Sequence, residues 1–217
     1  MRGGLTRRGL LIGAATSPLL AARAFALEPG EAPPIVFAHG NGDHAGLWMT
    51  QLWRFESNGW PRERLHAFNF LDPLARLDDA QPQNGRSSTE DQRRELAEAI
   101  SQTLARTGAA QVAVVGASRG GLTARNFASN PSDAALLSHL ALCGVPNHGV
   151  FNSDANIGSE FNGRSFFLQR LNNGGELETP RGVKTLTLRS DGNDKYAQID
   201  AIGRAGAKSG VDPTSPM

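Results

Sequence analysis

The 217-residue chain has little cysteine and no excess of charge of either sign. Its one cysteine, Cys143, excludes an intrachain disulfide framework and cannot build a metal site alone. The 22 basic and 21 acidic residues give a formal net charge of +1 without a basic stripe, so we expect no nucleic-acid partner. The five histidines lack the spacing of metal-binding motifs such as H-E-x-x-H. We therefore expect no metal and no cofactor.

The N-terminus lacks a hydrophobic run long enough to cross a bilayer, because its apolar stretch over residues 10–20 is short and contains glycine and proline. Arg7-Arg8 precedes that stretch, and Ala24-Phe25-Ala26 follows it and fits an A-x-A cleavage site. A disordered or amphipathic N-terminal arm is the alternative interpretation. We expect residues 1–26 to be a twin-arginine signal peptide, recognised by the Tat export machinery, with no stable membrane span. The protein is then periplasmic or secreted.

In the rest of the chain, apolar runs typical of strands alternate with stretches of helical periodicity. The longest helix is predicted to start with a capping box between Thr89 and Gln92, to bury Leu96 and Ile100, and to end at Gly108. This alternation predicts an α/β protein, a three-layer αβα sandwich with a mostly parallel central sheet. The predicted strands cover residues 35–38, 64–70, 111–115, 137–143 and 183–189.

The most informative motif is Gly116-Ala117-Ser118-Arg119-Gly120-Gly121, which follows a predicted strand and opens a helix. This G-x-S-x-G pattern in that context is typical of a nucleophile elbow, where a serine sits on a sharp, strained turn. Gly116 and Gly120 remove side chains that would clash with the neighbouring chain. The following helix directs its N-terminal N–H groups at the site. An ordinary glycine-rich turn is the alternative interpretation.

A second glycine-rich turn, His39-Gly40-Asn41-Gly42-Asp43, ends the first strand of the mature chain. Glycine there allows backbone N–H groups to face a substrate carbonyl. Together, these parts resemble the α/β-hydrolase superfamily, and most closely the small bacterial lipases of the Bacillus lipase A type (class 2 lipases). The resemblance runs from about Ile35 to Tyr196 and covers Val36 through Gly40, Ser57 through Leu65, and Thr107-Gly108-Ala109 leading into the elbow. It implies a serine hydrolase that cleaves carboxylic esters of small molecules, lipids or polyesters through an acyl-enzyme intermediate.

The resemblance also implies roles for individual residues. Ser118 would be the nucleophile, and the backbone N–H groups of Asn41 and Arg119 would form the oxyanion hole. An acid after the last predicted strand would orient the base; Asp194 is our choice and Asp191 the alternative. Arg119 departs from the usual residue type beside the nucleophile, and we expect its side chain to point to solvent rather than to bind an anionic substrate.

The largest departure concerns the general base. In this superfamily the histidine follows the acid, whereas the last histidine here is His148. Three explanations remain open. The hydrolase domain, residues 27–217, lacks its C-terminal end and the histidine with it; His148 serves as a substitute base; or the chain is a catalytically silent relative that binds an acyl or ester-like ligand.

Residues 150–180 are rich in asparagine and glycine and contain one predicted short helix, around Ser165–Leu171. The segment is interpreted either as a flap over the site or as a surface excursion. Its phenylalanines, Phe161, Phe166 and Phe167, indicate either an apolar substrate or lipid surface or ordinary core packing.

Overall fold

The computed structural model describes residues 32–150, 156–172 and 182–188 of the chain. The strands within these ranges are β1 (Ile35–Ala38), β2 (Leu65–Ala67), β3 (Leu74–Ala75), β4 (Arg86–Ser87), β5 (Val112–Ala117), β6 (Leu137–Cys143) and β7 (Lys184–Leu188). Five of them form one parallel sheet in the order β2-β1-β5-β6-β7, and β3 and β4 pair separately. The order puts β5 at the centre and β1 beside it.

Helices cover both faces of the sheet. Consecutive strand residues point to opposite sides of the sheet, so each strand packs against helices on both faces. Val36 of β1 faces one side and packs in a cluster with Leu96 and Phe127, whereas Phe37 faces the other side with Leu52. The fold class is therefore the predicted three-layer αβα sandwich. The helices are α1 (Met49–Ser57), α2 (Thr89–Thr107), α3 (Arg119–Ala128), α4 (Pro131–Ala134) and α5 (Phe166–Asn172), with 3-10 turns at Ala45–Trp48 and Arg62–Arg64.

The structure confirms the predicted buried stripe of helix α2 but places the N-cap of that helix one residue earlier than predicted. Leu96 and Ile100 are fully buried, and Gly108 ends the helix in the left-handed conformation with φ 66°. The N-cap is Ser88, whose side chain accepts a hydrogen bond from the Asp91 N–H while the Asp91 carboxylate accepts from the Ser88 N–H. The predicted Thr89–Gln92 box was wrong by one residue, because both positions satisfy the same spacing rule.

Strand β2 is shorter than the predicted 64–70, because the chain leaves the sheet after Ala67 and its Phe70 N–H bonds to His39 instead. Strand β6 has its predicted bounds, and α5 confirms the short helix expected in the Asn/Gly-rich segment. The phenylalanines of that segment are divided: Phe167 is buried, whereas Phe166 is 82% exposed.

Several sequence predictions fall on residues outside the described ranges. These are the signal peptide over residues 1–26 and both candidate acids, Asp191 and Asp194. They stay predictions. Among the helices of the described ranges, none has the length and apolar character needed to cross a membrane.

Candidate active site

Ser118 lies where β5 turns into α3. With φ 50° and ψ −119°, it is the one non-glycine residue with positive φ in the described ranges. Its backbone N–H donates to the Cys143 carbonyl at 2.9 Å, which ties the turn to the end of β6. Its hydroxyl forms no hydrogen bond with any residue that the structure describes. A strained backbone of this kind costs about 1–3 kcal/mol and is concentrated at functional sites.

The glycines of the elbow, residues 116–121, permit backbone-to-backbone packing. A Cβ atom at Gly116 would lie 2.6 Å from the Gly121 Cα, and one at Gly120 would lie 2.4 Å from the Ala38 carbonyl oxygen. Real Cβ atoms do not approach other atoms that closely, so any larger residue would push β1, β5 and α3 apart. The glycine pattern is therefore a steric requirement of the turn that holds Ser118.

The turn after β1, residues 39–43, faces the elbow across the edge of the sheet. A Cβ atom at Gly40 would lie 3.3 Å from the Ser118 Cβ. The buried His39 ring fixes this approach, because its Nε2 accepts a hydrogen bond from the Phe70 N–H at 3.2 Å. Its Nδ1 must then carry the proton and donate to the Gly40 carbonyl at 3.0 Å. Burial lowers the pKa of His39, which favours this neutral form.

Contacts with the β3 segment hold the rest of the β1 turn. The Asn41 side-chain oxygen accepts from the Ala75 N–H at 2.7 Å, and the Gly42 N–H donates to the Pro73 carbonyl at 3.1 Å. The backbone N–H groups of Asn41 and Arg119 donate no hydrogen bond to any residue in the described ranges. Two backbone donors are thus available near Ser118.

The Arg119 side chain is buried, and the expectation that it points to solvent was wrong. It is 1% exposed and forms a bidentate ion pair with Glu160, with both N–O distances 2.6 Å. It also donates to the Ser87 hydroxyl and carbonyl at 2.9 and 2.8 Å and to the Pro73 carbonyl at 3.1 Å. Because this cation is neutralised inside the protein, it does not offer a site for an anionic substrate.

Glu160 is the buried partner of Arg119 that sequence reasoning missed. Its side chain is 2% exposed, and burial raises its pKa although the Arg119 guanidinium opposes that shift. The two residues are 41 positions apart, and Glu160 lies in an Asn/Gly-rich segment without strong periodicity. No local pattern connects an acid in such a segment with the elbow.

The candidate base is not in hydrogen-bonding contact with the nucleophile in the described ranges. His148 follows β6, is half-buried, and has its Nδ1 3.5 Å from the Asn172 side-chain nitrogen. Its role remains a prediction, since catalytic hydrogen bonds are often long before substrate binds. Among the described residues, no group of three or more His, Cys, Asp or Glu side chains is placed to hold a metal ion.

A strained serine between the central strand and the following helix of a parallel αβα sandwich defines an α/β-hydrolase fold. Solved structures agree. Aspergillus fumigatus lipase B aligns with 87% of this chain and 43% of its own, at 17% identity and a TM-score of 0.57. The Bacillus licheniformis lipase BlEst2 in its propeptide form aligns over 73% and 36%, at 17% identity and a TM-score of 0.51.

A third similar structure is the Legionella pneumophila phospholipase PlaB, at 17% identity and a TM-score of 0.51, covering 80% of this chain and 42% of that one. This chain therefore spans less than half the length of each of these three proteins. Residues 32–130 match the family described as Lipase (class 2). The predicted resemblance to class 2 lipases is thus confirmed over the part that carries the β1 turn and the elbow. A search of curated protein sequences found no match.

Proposed function

We propose that this protein is a serine hydrolase that cleaves carboxylic esters through an acyl-enzyme intermediate. The observation that carries the proposal is the placement of Ser118, a strained residue at the N-terminus of α3, beside the Gly40 backbone. The similarity of residues 32–130 to class 2 lipases supports the ester as the substrate class. Small-molecule, lipid and polyester esters all have the required carbonyl group.

In the proposed reaction, the Ser118 hydroxyl attacks the ester carbonyl while a general base takes its proton, and negative charge develops on the carbonyl oxygen. The alcohol then leaves with that proton as the acyl-enzyme forms, and water hydrolyses the acyl-enzyme to release the acid. The backbone N–H groups of Asn41 and Arg119 would stabilise that charge, since neither has another acceptor among the described residues. Arg119 is the first residue of α3, so the positive end of the helix dipole acts in the same direction. Loss of one such donor typically lowers kcat by about 10²–10³.

The attack requires a general base, because a serine hydroxyl is a weak nucleophile near neutral pH. We retain Asp194, with Asp191 as the alternative, as the acid that orients it, and His148 as the candidate base. The three explanations given above differ in their expected rates. A chain with no base loses on the order of 10⁶ in turnover relative to an intact triad.

The test is hydrolysis of a short-chain p-nitrophenyl ester by the wild type, Ser118→Ala and His148→Gln proteins. Ser101→Ala is the matched control, because Ser101 is exposed on α2. Turnover that is lost in Ser118→Ala and kept in Ser101→Ala would support the serine mechanism, and an equal loss in His148→Gln would identify the base. Equal background rates in wild type and Ser118→Ala would reject a working hydrolase in this chain, and would leave two explanations: a domain that lacks its C-terminal end, and the catalytically silent, ligand-binding relative.

We also propose export by the twin-arginine route, supported by Arg7-Arg8 and the Ala24-Phe25-Ala26 site. An Arg7→Lys, Arg8→Lys double variant is expected to stay in the cytoplasm with its N-terminus uncleaved. Export of that variant at the wild-type level would reject the route.

A further inference from the structure

Arg119 contributes to the candidate site through two different groups. Its backbone N–H faces the Ser118 region, whereas its side chain passes into the protein and reaches the segment before β3. There the Pro73 carbonyl accepts two hydrogen bonds, one from the Arg119 guanidinium and one from the Gly42 N–H, both at 3.1 Å. One oxygen atom therefore connects the elbow to the β1 turn.

Buried partners hold the guanidinium in place. Glu160 binds it in a bidentate manner, and Ser87 at the end of β4 accepts two further hydrogen bonds. The Ser87 hydroxyl in turn donates to the Asp72 carbonyl at 2.5 Å, next to Pro73. Arg119, Ser87 and Glu160 are each at most 3% exposed, so water does not compete for these bonds.

We propose that Arg119 and Glu160 form a positioning pair that holds the β1 turn at a fixed distance from the elbow. Its direct effect is on the β1 turn, where it keeps the Gly42 N–H hydrogen-bonded to the Pro73 carbonyl. Its catalytic consequence rests on the proposed function, because the two oxyanion donors, the N–H groups of residues 41 and 119, lie on different turns. Both must come within about 2.7–3.1 Å of one substrate oxygen.

This role differs from a contribution to stability. Buried ion pairs can often be replaced by apolar residues of similar volume without loss of stability, since the desolvation of two charges offsets their attraction. Loss of one partner alone leaves an uncompensated buried charge and is strongly destabilising. A variant that removes both charges therefore keeps the fold and removes the connection.

The experiment uses the full chain with the double substitution Arg119→Met, Glu160→Met. The matched control is Arg93→Met, Asp133→Asn, which removes a half-buried ion pair of 2.9 Å between α2 and α4. Backbone amide hydrogen exchange is measured by NMR at Gly42, with Val114 in the centre of the sheet as the reference for global unfolding. The kcat and KM for a p-nitrophenyl ester are measured in parallel.

We expect the double variant to exchange its Gly42 amide at least about tenfold faster relative to Val114, and the control to leave that ratio unchanged. We expect kcat to fall by about 10–100-fold with little change in KM, because a misplacement of about 1 Å costs up to about 10² in rate. Accelerated Gly42 exchange together with equal turnover of wild type and Ser118→Ala would support the positioning pair and reject the proposed hydrolase.

Two results would overturn the inference. One is a Gly42 exchange ratio that is unchanged in the double variant or changed equally in the control. The other is an unchanged kcat in the double variant when the wild type shows turnover that depends on Ser118.

Discussion

The elbow and the β1 turn end neighbouring strands at the same edge of the sheet, yet different forces hold them. The elbow is held by backbone packing, with Gly120 against the Ala38 carbonyl and Gly116 against Gly121. The β1 turn is held by side chains, through the His39 ring and the Asn41 amide. Its partners, Phe70 and Ala75, are 31 and 34 residues distant in the chain.

The difference indicates how each turn responds to change. A turn held by close backbone contacts has no room for a Cβ atom, so replacing one of its glycines with a larger residue disrupts it. A turn held by side-chain hydrogen bonds depends on the partners and on their protonation state. Four measurements, ordered from the largest expected effect to the smallest, test this contrast.

The largest effect is expected for Gly120→Ala in the elbow. Its new Cβ would lie 2.4 Å from the Ala38 carbonyl oxygen, and backbone atoms on both sides would have to move. We expect the free energy of unfolding to fall by about 3 kcal/mol or more, as for severe overpacking. Gly108→Ala is the control, with φ +66° but open space around it, and should cost about 1–2 kcal/mol. Equal losses of unfolding free energy for the two variants in urea denaturation would contradict the proposed difference between the two turns.

The second effect concerns the buried ring of the β1 turn. In His39→Leu the Phe70 N–H loses its acceptor, and an unsatisfied buried group costs about 1–3 kcal/mol. His39→Gln keeps an oxygen that can accept from Phe70, so we expect it to recover part of the loss in thermal denaturation. No recovery would mean that packing, and not the hydrogen bond, supports the turn.

The third effect is a pH dependence of the β1 turn, which comes from His39. Because burial lowers the pKa of His39, the unfolded chain takes up its proton first as the pH falls below about 6.5. The stabilisation is complete above that pH and decreases below it. The slope of unfolding free energy against pH should be smaller in His39→Gln. His66, whose pKa burial also lowers, retains its own share of the slope. An identical slope in the variant would contradict the assignment.

The smallest effect is expected at Asp91, a residue of α2 whose carboxylate binds the segment after β3. Its carboxylate accepts from Arg76 at 2.9 Å and completes the α2 capping box, and the Ser88 N–H lowers its pKa to about 2. We expect Asp91→Asn to cost about 1 kcal/mol at neutral pH. The difference from wild type should shrink as the pH falls from about 4 towards 2, because the wild-type carboxylate then also loses its charge. A difference that is constant with pH would exclude the carboxylate as its cause.

The sequence alone predicted most of what lies along one element. Apolar periodicity located β6 and the buried face of α2 through Leu96 and Ile100, since local patterns report which side of an element is buried. The sequence prediction placed the N-cap of α2 one residue late, because Ser88 and Thr89 can both begin a capping box. It placed Arg119 in solvent, because charged residues are almost never fully buried unless they are paired.

The elbow was determined by the sequence itself. Its strand, glycines and helix are contiguous, and the sterics of a sharp turn require small residues at fixed spacing around Ser118. Only the tertiary structure decided the surroundings of the β1 turn and of the Arg119 side chain. Parallel pairing of β1 with β5 brings the two turns together, and the segment of residues 156–172 brings Glu160 to the guanidinium. The His39–Phe70 and Arg119–Glu160 contacts join residues 31 and 41 positions apart, and no local pattern encodes a partner at such a distance.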